Sequence, residues 1–490
     1  MTTTERVLPA QPLQRLADHE ARGGGSGLEA ARKLDGAAVI DVVRAAGMRG
    51  RGGSGFPTAV KWGTVAAYHS DVMPTTVVVN AAEGEPGCYK DRVLLTRDPY
   101  AVLEGALIAA HAVGGDSVIV AIKRTFTEVA NRIDAAITEL EDAGWCEKDA
   151  ISIFEGPSEY LYGEETALLE TIDGRYPFPR VTPPYRRGVD ELVDSPADLD
   201  TSSSSAAHVE IAGATDENLG APTLVSNAES LSHIPMILAR GAEWFRSVGT
   251  EQSPGTIVCT ISGQVRHPGV GELEMGTTLR EAIDAIGGGP LPGREVRAVM
   301  SGVSSALVVA DQLDTPLTYE AMAAIGAGLG AGGFLVYDET TSPVGIAAGV
   351  AHFLAVESCG QCRHCKQDGL ELAGLLRNLA ASHAHEDDLR RIRERLDIVA
   401  DGARCNLPYQ QQAVVGSVLE RFPDDVQARI HGHAPAVEPE PIAAIERIDA
   451  DGVHLDEQQF VKQPDWTHDA EYSGKWPADR LDEHRAPEEL

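Results

Sequence analysis

Residues 75–92 read TTVVVNAAEGEPGCYKDR, an apolar run that changes abruptly into an acidic, glycine-containing loop. The run 75–80 is rich in β-branched residues and too short for a typical helix, so it predicts a buried strand. In open α/β sheets, ligand sites form at the carboxyl ends of the strands. Asn80, Glu83 and Glu85 are therefore candidate ligand-binding residues, and an ordinary solvated loop is the alternative.

The segments on both sides of this stretch alternate between helix and strand patterns. Apolar residues recur at helical spacing in some segments and form short continuous runs in others. This alternation predicts an α/β layer with parallel strands. The predicted helices cover 36–47, which ends at Gly47 as a C-cap, 99–114 and 126–144, and the predicted strands cover 116–124 and 151–156.

A glycine-rich loop, GMRGRGGSGFPTAVKW, occupies residues 47–62 and leads into a helix that begins near Pro57. Glycines let backbone N–H groups approach a phosphate or a ring closely, and a helix N-terminus favours an anion. Arg51 and Lys61 add positive charge. The loop matches neither the dinucleotide-binding G-x-G-x-x-G pattern nor a Walker A loop, so a flexible turn is an equal alternative.

A second candidate site lies in EYLYGEETALLE, residues 159–170, which places Gly163, Glu164 and Glu165 at the start of a helix. Carboxylates at that position suit the helix dipole, so helix capping is an alternative to ligand binding. Two adjacent acids beside a glycine, on the third loop that follows a predicted strand, favour a ligand site.

Three cysteines at C-x-x-C-x-x-C spacing, Cys359, Cys362 and Cys365, lie between the first two of four predicted C-terminal helices. Cys405 lies between the third and fourth, and a bundle brings the loops at one end together. Four thiolates suit both zinc and a 4Fe–4S cluster. Structural zinc more often uses two paired C-x-x-C motifs, so this spacing favours the cluster.

The remaining segments complete a division into about three domains. Residues 256–340 predict a small α+β unit, and the acidic C-terminus keeps several aromatic residues. The expected division is an N-terminal arm (1–35), an α/β domain (36–250) with an inserted surface loop (187–218), an α+β domain (251–340), a four-helix bundle (341–430) and an acidic tail (431–490).

Composition excludes several classes of protein. The net charge of −33 argues against nucleic acid as a partner. No apolar run approaches the roughly 18 residues that span a bilayer. Seven cysteines, an odd number with three clustered, argue against a disulfide framework. We therefore expect a cytoplasmic protein, and any association that it has with a membrane would be peripheral and through partner subunits.

Six motifs together resemble the NADH-binding flavoprotein (F) subunit of respiratory complex I, in a family that includes the diaphorase subunits of NAD-linked hydrogenases and formate dehydrogenases. The motifs are GRGGSGFPTAVKW, NAAEGEPGCYKDR, YLYGEETALLETIDG, PRVTPPYR, GAPTLVSNAESL and ESCGQCRHC with CNL, in family order over residues 37–430. The resemblance implies a Rossmann-like FMN/NADH domain, a ubiquitin-like (β-grasp) domain and a four-helix bundle with a 4Fe–4S cluster. It also implies that NADH gives a hydride to FMN, and that single electrons then pass through the cluster to another redox subunit, a ferredoxin-type acceptor or a quinone-reducing complex.

The resemblance also implies three groups of site residues. For FMN these are Gly50, Arg51, Gly52, Lys61, Asn80, Glu83, Tyr160, Gly163, Glu164, Val225, Asn227 and Ser230, with Leu407 between flavin and cluster. For NADH they are Gly53, Phe56, Glu85, Glu165 and Tyr185, of which Glu85 and Glu165 are the candidate catalytic residues because they place negative charge near the nucleotide. The cluster ligands are Cys359, Cys362, Cys365 and Cys405.

Five residues depart from the family motifs: Thr64, Ala82, Tyr162, Thr182 and Ser226. Ala82 and Ser226 replace hydrogen-bonding residues of the flavin site. A degenerate homologue that acts as a scaffold or NADH sensor is therefore the main alternative, and a quinone-binding or polysaccharide-export protein is a weaker one. For the electron acceptor, we expect a basic docking face formed by Arg363, His364 and Lys366 around the cluster, and a loop that these residues simply solvate is an equal alternative.

Overall fold

The computed structural model describes residues 3–69, 74–189, 221–468 and 471–481. The predicted insertion at 187–218 lies outside the described residues from residue 190 onward. The described parts form two large β-sheets, each with associated helices, and then a helical region and a C-terminal segment that contains a two-stranded sheet.

The first sheet contains four strands, and every neighbouring pair is parallel. Its central strand follows from the sequence, because Val77, Val78 and Val79 are all fully buried between helices on both faces. The predicted parallel α/β layer is therefore confirmed. The strands are β1 (Thr75–Asn80), β2 (Gly115–Lys123), β3 (Ile151–Gly156) and β4 (Thr223–Asn227), in the spatial order β3-β2-β1-β4.

Helix boundaries around this sheet follow local capping chemistry. Asp35 accepts a hydrogen bond from the Ala38 N–H, and Gly47 closes the same helix with φ of +68°. Asp98 caps the long central helix, in which Pro99 is the first residue. The helices are α1 (Leu16–Ala21), α2 (Ser26–Ala31), α3 (Gly36–Ala46), α4 (Thr58–Ala67), α5 (Lys90–Arg97), α6 (Pro99–Val113), α7 (Thr127–Asp142), α8 (Glu165–Ile172), α9 (Ala228–Ser232), α10 (Ile234–Arg240) and α11 (Ala242–Arg246).

The segment expected to form an N-terminal arm lies against this first core. Val7, Leu16 and Leu28 are buried. His19 contacts the carboxylates of Asp98 and Glu104 at 3.1 and 3.0 Å. Hydrogen bonds to these acids raise the pKa of His19 to about 9, against the opposing effect of burial. The imidazolium therefore ties the segment to α6.

The second sheet is mixed. Its one parallel pair consists of the strands that come first and last in the chain, which are neighbours in the sheet. Its helix α12 begins with a capping box between Thr278 and Glu281. The elements are β5 (Thr256–Gly263), β6 (Gly269–Glu274), α12 (Leu279–Gly287), β7 (Val296–Ser301), β8 (Val308–Val309), α13 (Tyr319–Ala324) and β9 (Gly333–Asp338), in the strand order β6-β5-β9-β7-β8.

All four helices that the sequence predicts after residue 343 are present. The first is almost entirely buried and packs against the second and the fourth. A shorter helix that the sequence analysis did not predict follows them. The five helices are α14 (Pro343–Glu357), α15 (Gly369–Ala380), α16 (Glu386–Ile398), α17 (Leu407–Arg421) and α18 (Pro423–Ile430). Every helix among the described residues is too short or too polar to span a bilayer.

The C-terminal segment folds back onto the rest of the protein. The Trp466 side chain is buried, and its Nε1 donates a hydrogen bond to the Val356 carbonyl at 2.9 Å. Lys462 is buried between the carboxylates of Glu159 and Glu357. The elements here are β10 (Ile445–Asp449), β11 (Gly452–Leu455), α19 (Gln458–Val461) and α20 (Pro477–Leu481).

Candidate functional site

A pocket of about 760 Å³ opens at the carboxyl ends of β1 and β4. Asn80 and Asn227 are the last residues of these two adjacent parallel strands, as expected for a ligand site in an open α/β sheet. Its volume lies in the range of small-molecule and cofactor pockets. The predicted residues that line it are Gly52, Gly53, Asn80, Glu83, Glu85, Tyr160, Gly163, Glu164, Asn227 and Leu407.

Asn80 and Glu164 organise one wall of this pocket. The Asn80 Nδ2 donates to the Gly163 carbonyl at 2.9 Å, which joins the end of β1 to the turn before α8. Glu164 is the N-cap of α8, and its carboxylate accepts hydrogen bonds from the N–H groups of Thr166 and Ala167. Burial raises the pKa of Glu164 above its usual value, against these hydrogen bonds. Glu164 therefore both caps a helix and lines the pocket.

Below the pocket lies a buried ionic group that the sequence analysis missed. Lys90 is fully buried and contacts Asp91 and Glu229, each at 2.8 Å. Asn227 joins it, because its Nδ2 donates to Asp91 at 2.7 Å. Burial, with the nearby carboxylates, raises the pKa of Asp91 to about 6, whereas Lys90 overcomes burial and lowers that of Glu229 to about 2. The group fixes the orientation of Asn227 and Asp91, which both line the pocket.

The Glu83 carboxylate is held by hydrogen bonds from other residues of the protein. It accepts hydrogen bonds from Arg92 Nε at 2.8 Å and from the Asp91 N–H at 3.0 Å. Although burial opposes ionisation, the adjacent Arg92 guanidinium keeps its pKa below the usual value. Glu83 thus stays ionised and anchors the loop after β1.

Glu85 is held by groups from other parts of the chain. Its carboxylate accepts a hydrogen bond from the Tyr160 hydroxyl at 2.6 Å and another from the Val303 N–H at 2.7 Å. Gln410 in turn donates to the Tyr160 oxygen at 2.8 Å. Burial raises the pKa of Glu85 to about 7, against both hydrogen bonds. This carboxyl therefore changes its charge near neutral pH.

Eight predicted residues do not line the pocket. Arg51 was expected to add charge at the glycine-rich loop, but its buried guanidinium donates to the carbonyls of Pro254 and Thr256. Lys61 is paired with Glu165 at 2.5 Å, and both are about one-third exposed. Phe56 is 50% exposed. Ser230 accepts a hydrogen bond from the Arg51 N–H, and the Tyr185 ring contacts the Tyr68 ring. With Ser230 and Tyr185, the other four are completed by Gly50 and Val225.

The opposite wall comes from the second sheet region, and the sequence analysis missed it. Gly328–Ala331 and Ser304 line the pocket together with Tyr319. An added Cβ at Gly53 would lie 3.8 Å from the backbone of Gly330, so the two glycine-rich segments approach each other closely. The density of glycines in 326–333, GAGLGAGG, was the available signal.

A second, smaller cavity is lined by all four predicted ligand cysteines, Cys359, Cys362, Cys365 and Cys405. Cys365 lies in a π-helical turn, His364–Asp368, immediately before α15. Burial raises the pKa of Cys365 to about 12, so a thiolate there requires a positively charged centre to stabilise it. The structure thus brings the three cysteines of the C-x-x-C-x-x-C segment together with Cys405, which lies 40 residues after Cys365 in the chain.

The thiol groups of these four cysteines are of the type that holds an iron–sulfur cluster. In the described ranges, no group of three His, Cys, Asp or Glu side chains is placed to hold a single metal ion. A zinc ion would require four sulfurs at about 2.3 Å from one point. Four thiols around a shared cavity fit a polynuclear centre with a larger diameter. Ser358 and Gln361 lie within hydrogen-bonding distance of Cys365 and Cys359, at 3.2 and 3.5 Å between donor and sulfur atoms.

Lys366 does not belong to a docking face, contrary to the expectation from sequence. It is fully buried, and its Nζ donates to the carbonyls of Ala355, Val356 and Ser358 at 2.9, 3.2 and 2.9 Å. A cation at that position satisfies the unpaired carbonyls at the end of α14. Arg363 remains exposed, and half-exposed His364 pairs with Asp368.

The two cavities share a wall. Leu161, Cys405 and Leu407 line both the large pocket and the cysteine cavity. A group bound in the pocket would therefore be separated from a centre on the cysteines by little more than one layer of side chains. Leu407, which the sequence analysis expects between flavin and cluster, is part of this shared wall.

Three protein-family models match the chain. The Nuo51 FMN-binding domain matches residues 43–236, the SLBB domain matches 258–303, and the iron-sulfur binding region of NADH-ubiquinone oxidoreductase-F matches 345–429. The first covers the parallel sheet and the third covers all four clustered cysteines.

Several curated proteins are similar over most of the chain. The NADH-quinone oxidoreductase F 2 subunit of Rhizobium meliloti (strain 1021) is 34% identical over 79% of this chain and 86% of its own. The corresponding F subunit of Streptomyces coelicolor is 33% identical over 85% and 88%, respectively. The NADP-reducing hydrogenase subunit HndC of Solidesulfovibrio fructosivorans is 30% identical over 85% and 81%. Among solved structures, an NAD+-reducing NiFe hydrogenase in its H2-reduced state matches with a TM-score of 0.70 and 32% identity, over 82% of this chain and 64% of that chain.

Proposed function

We propose a function from the premise that this chain belongs to the family of NADH-quinone oxidoreductase F subunits. The chain is an NADH-oxidising flavoprotein that uses FMN and a 4Fe–4S cluster, and it is thereby an oxidoreductase. The wall shared by the two cavities supports the proposal for how it works, because a flavin bound in the large pocket would lie directly beside the cysteines. When bound, FMN accepts a hydride from NADH, and the cluster accepts electrons singly.

In this proposal, the chain's own residues bind and orient the cofactors. Asn80, Asn227 and Glu164 are held in fixed positions by internal hydrogen bonds and would contact FMN. Gly52 and Gly53 allow close approach of the backbone. Glu83, Tyr160, Gly163 and Leu407 also line the pocket. Arg51 and Ser230 act from behind it, because they hold the glycine-rich loop.

NADH would enter from the side of Glu85. We assign Phe56, Tyr185 and the Lys61–Glu165 pair to the outer part of the nucleotide site, since they lie outside the pocket itself. The exposed Phe56 ring offers a stacking surface for an adenine. No protein acid or base is required for hydride transfer, so Glu85 and Glu165 would act through charge and position.

The proposed domains are an FMN/NADH domain (36–250), a ubiquitin-like domain (251–340) and a four-helix bundle (341–430), flanked by residues 1–35 and 431–490. Helices α14 to α17 would form the bundle, and its cysteine-bearing end faces the pocket. The alternative of a non-catalytic scaffold predicts a protein without flavin. An absorbance spectrum of the purified protein distinguishes the two, because bound FMN gives characteristic flavin bands.

Glu85 is expected to favour NADH over NADPH, because its carboxylate would repel a 2′-phosphate. Since its pKa is raised to about 7, the repulsion should be weak at pH 6 and strong at pH 8. At pH 8, Glu85→Gln should lower the ratio of kcat/KM for NADH to kcat/KM for NADPH by roughly tenfold, which corresponds to a contact worth about 1.4 kcal/mol. A ratio with the same value and the same pH dependence in the variant would exclude Glu85 as the discriminating residue.

We assign the exit for electrons to the edge of the cluster cavity formed by Cys362 and Cys405. These two cysteines are partly exposed, whereas Cys359 and Cys365 are buried. The C-terminal segment covers the Cys359 side, since the Ala478 N–H donates to the Cys359 carbonyl at 2.8 Å. The open edge carries exposed Arg363 and Arg404, and an acidic redox subunit or ferredoxin-type protein would suit them.

Reversing the charge of Arg363 and Arg404 is expected to impair transfer to such a partner. In the double variant with glutamate at both positions, reduction of an acidic ferredoxin by NADH should fall by roughly tenfold or more and lose its salt dependence. Reduction of ferricyanide, which can occur at the flavin, should change little. Arg390→Glu is the matched control, because exposed Arg390 lies on α16 and does not line the cluster cavity. Equal loss with Arg390→Glu, or no loss in the double variant, would contradict this exit.

A further inference from the structure

Gln410 lines the large pocket but belongs to none of the site residues inferred from sequence. It lies on α17, five residues after the cluster ligand Cys405, and its side chain is only 7% exposed. Its Nε2 donates to the Tyr160 oxygen at 2.8 Å. Its Oε1 is buried and, within the described residues, has no hydrogen-bond partner.

The orientation of the Gln410 side-chain amide follows from the hydrogen bonds of Tyr160. Tyr160 has one hydroxyl hydrogen, which it donates to Glu85 at 2.6 Å. With Glu85 ionised, the Tyr160 oxygen can therefore only accept from Gln410, so the amide nitrogen must face it. The carbonyl oxygen is left as a fixed acceptor, and a buried acceptor without a donor is unfavourable in a folded protein.

We propose that the Gln410 Oε1 accepts a hydrogen bond from an N–H group of the bound redox pair. This inference rests on the proposed function, because FMN and NADH supply the donors. Two such donors exist near the reacting rings: the ring imide of the flavin and the carboxamide of the nicotinamide. Gln410 is thus a ligand-binding residue that links the cluster-bearing helix to the Tyr160–Glu85 pair.

Two other residues with unpartnered buried polar atoms do not share this role. Ser305 lines the pocket, but its hydroxyl can rotate and act as donor or acceptor, so it specifies no particular ligand group. Gln411 is fully buried with both amide atoms unpartnered, and it does not line the pocket. Gln411 therefore provides a matched control on the same helix.

The test compares Gln410→Leu and Gln411→Leu in the full chain with two measurements. One is the Kd of FMN for the deflavinated protein, followed by flavin fluorescence. The other is the ratio of kcat/KM for NADH and its 3-acetylpyridine analogue, in which an acetyl group replaces the carboxamide and carries no N–H. Ferricyanide serves as the electron acceptor in both kinetic series.

If Gln410 binds the nicotinamide, Gln410→Leu should reduce the preference for NADH over the analogue by roughly tenfold. If it binds the flavin, the Kd of FMN should rise by a similar factor while the preference stays unchanged. Gln411→Leu should alter neither. The inference is overturned if the wild-type protein binds FMN and oxidises NADH but Gln410→Leu changes neither quantity.

A second variant protects the test against misfolding of Gln410→Leu. Gln410→Asn keeps the amide but shortens the side chain, so it should move the same quantity in the same direction by a smaller factor. An unchanged value in this variant would also overturn the inference. Failure of the wild-type protein to bind FMN would instead contradict the proposed function, and the two failures are thus distinguishable.

Discussion

Replacing Cys405 by serine is expected to remove the 4Fe–4S cluster. In the proposed ligand set, Cys405 is the one thiolate from outside the C-x-x-C-x-x-C segment, and it also lies in the wall shared with the large pocket. Loss of one ligand of four weakens a cluster that depends on all four thiolates. Iron and acid-labile sulfide should fall from about four of each per chain to well below one. Reduction of a protein acceptor by NADH should fall by on the order of 100-fold or more.

Cys146→Ser is the control for this experiment. Cys146 is a partly buried thiol that does not line the cluster cavity. It should retain iron, sulfide and activity at the level of the unaltered protein. Full iron content in Cys405→Ser, or stoichiometric zinc in place of iron in the unaltered protein, would contradict the assignment of the four ligands.

Replacing Lys90 by methionine is expected to cause the largest loss of stability. Lys90 is fully buried and lies 2.8 Å from both Asp91 and Glu229, so its removal takes the nearest cation from two buried carboxylates. Removing one partner of a buried ionic group typically costs about 3–5 kcal/mol in free energy of unfolding. Urea denaturation should show this loss, and FMN should bind more weakly because Asp91 and Asn227 line the pocket. Lys148→Met, which alters an exposed lysine, should change neither.

The pH dependence gives a further check on Lys90. In the unaltered protein, Lys90 lowers the pKa of Glu229 to about 2, so this residue contributes stability above pH 4.5 that is lost as the pH falls towards 2. Without Lys90, burial should raise the pKa of both carboxyl groups. The destabilisation in the variant should therefore grow as the pH rises from about 4 to 8. A destabilisation independent of pH would show that lost packing, rather than charge, is responsible.

The strands and long helices followed from local patterns in the sequence. Val77, Val78 and Val79 form a short apolar run that predicts a buried strand without any knowledge of the tertiary packing. Asp35 and Gly47 determine the ends of α3 by local hydrogen bonds. The four cysteines could be grouped because ligand spacing is itself a chemical constraint. These features depend on residues close together in the chain or on the geometry of one metal centre.

The contacts of individual charged side chains could not be predicted from the sequence. Arg51 lies in a glycine-rich loop that suggests an anion site, but its guanidinium is held by carbonyls of residues more than 200 positions away. Lys366 adjoins a cluster ligand yet completes the hydrogen bonding at the end of α14. Glu229 and Lys90 are far apart in the chain and meet only when α5 and α9 pack together. Each outcome depends on how distant elements pack, which local patterns do not encode.

The most direct test of the account is to add NADH to the purified protein under anaerobic conditions, without any acceptor, and to follow flavin absorbance and the EPR spectrum together. The account predicts that the flavin absorbance bleaches and that the spectrum of a reduced 4Fe–4S cluster appears. The reason is that the large pocket, the proposed FMN site, shares the wall formed by Leu161, Cys405 and Leu407 with the cysteine cavity. Bleaching of the flavin without any cluster signal, in protein shown to contain about four irons per chain, would contradict electron transfer through that wall.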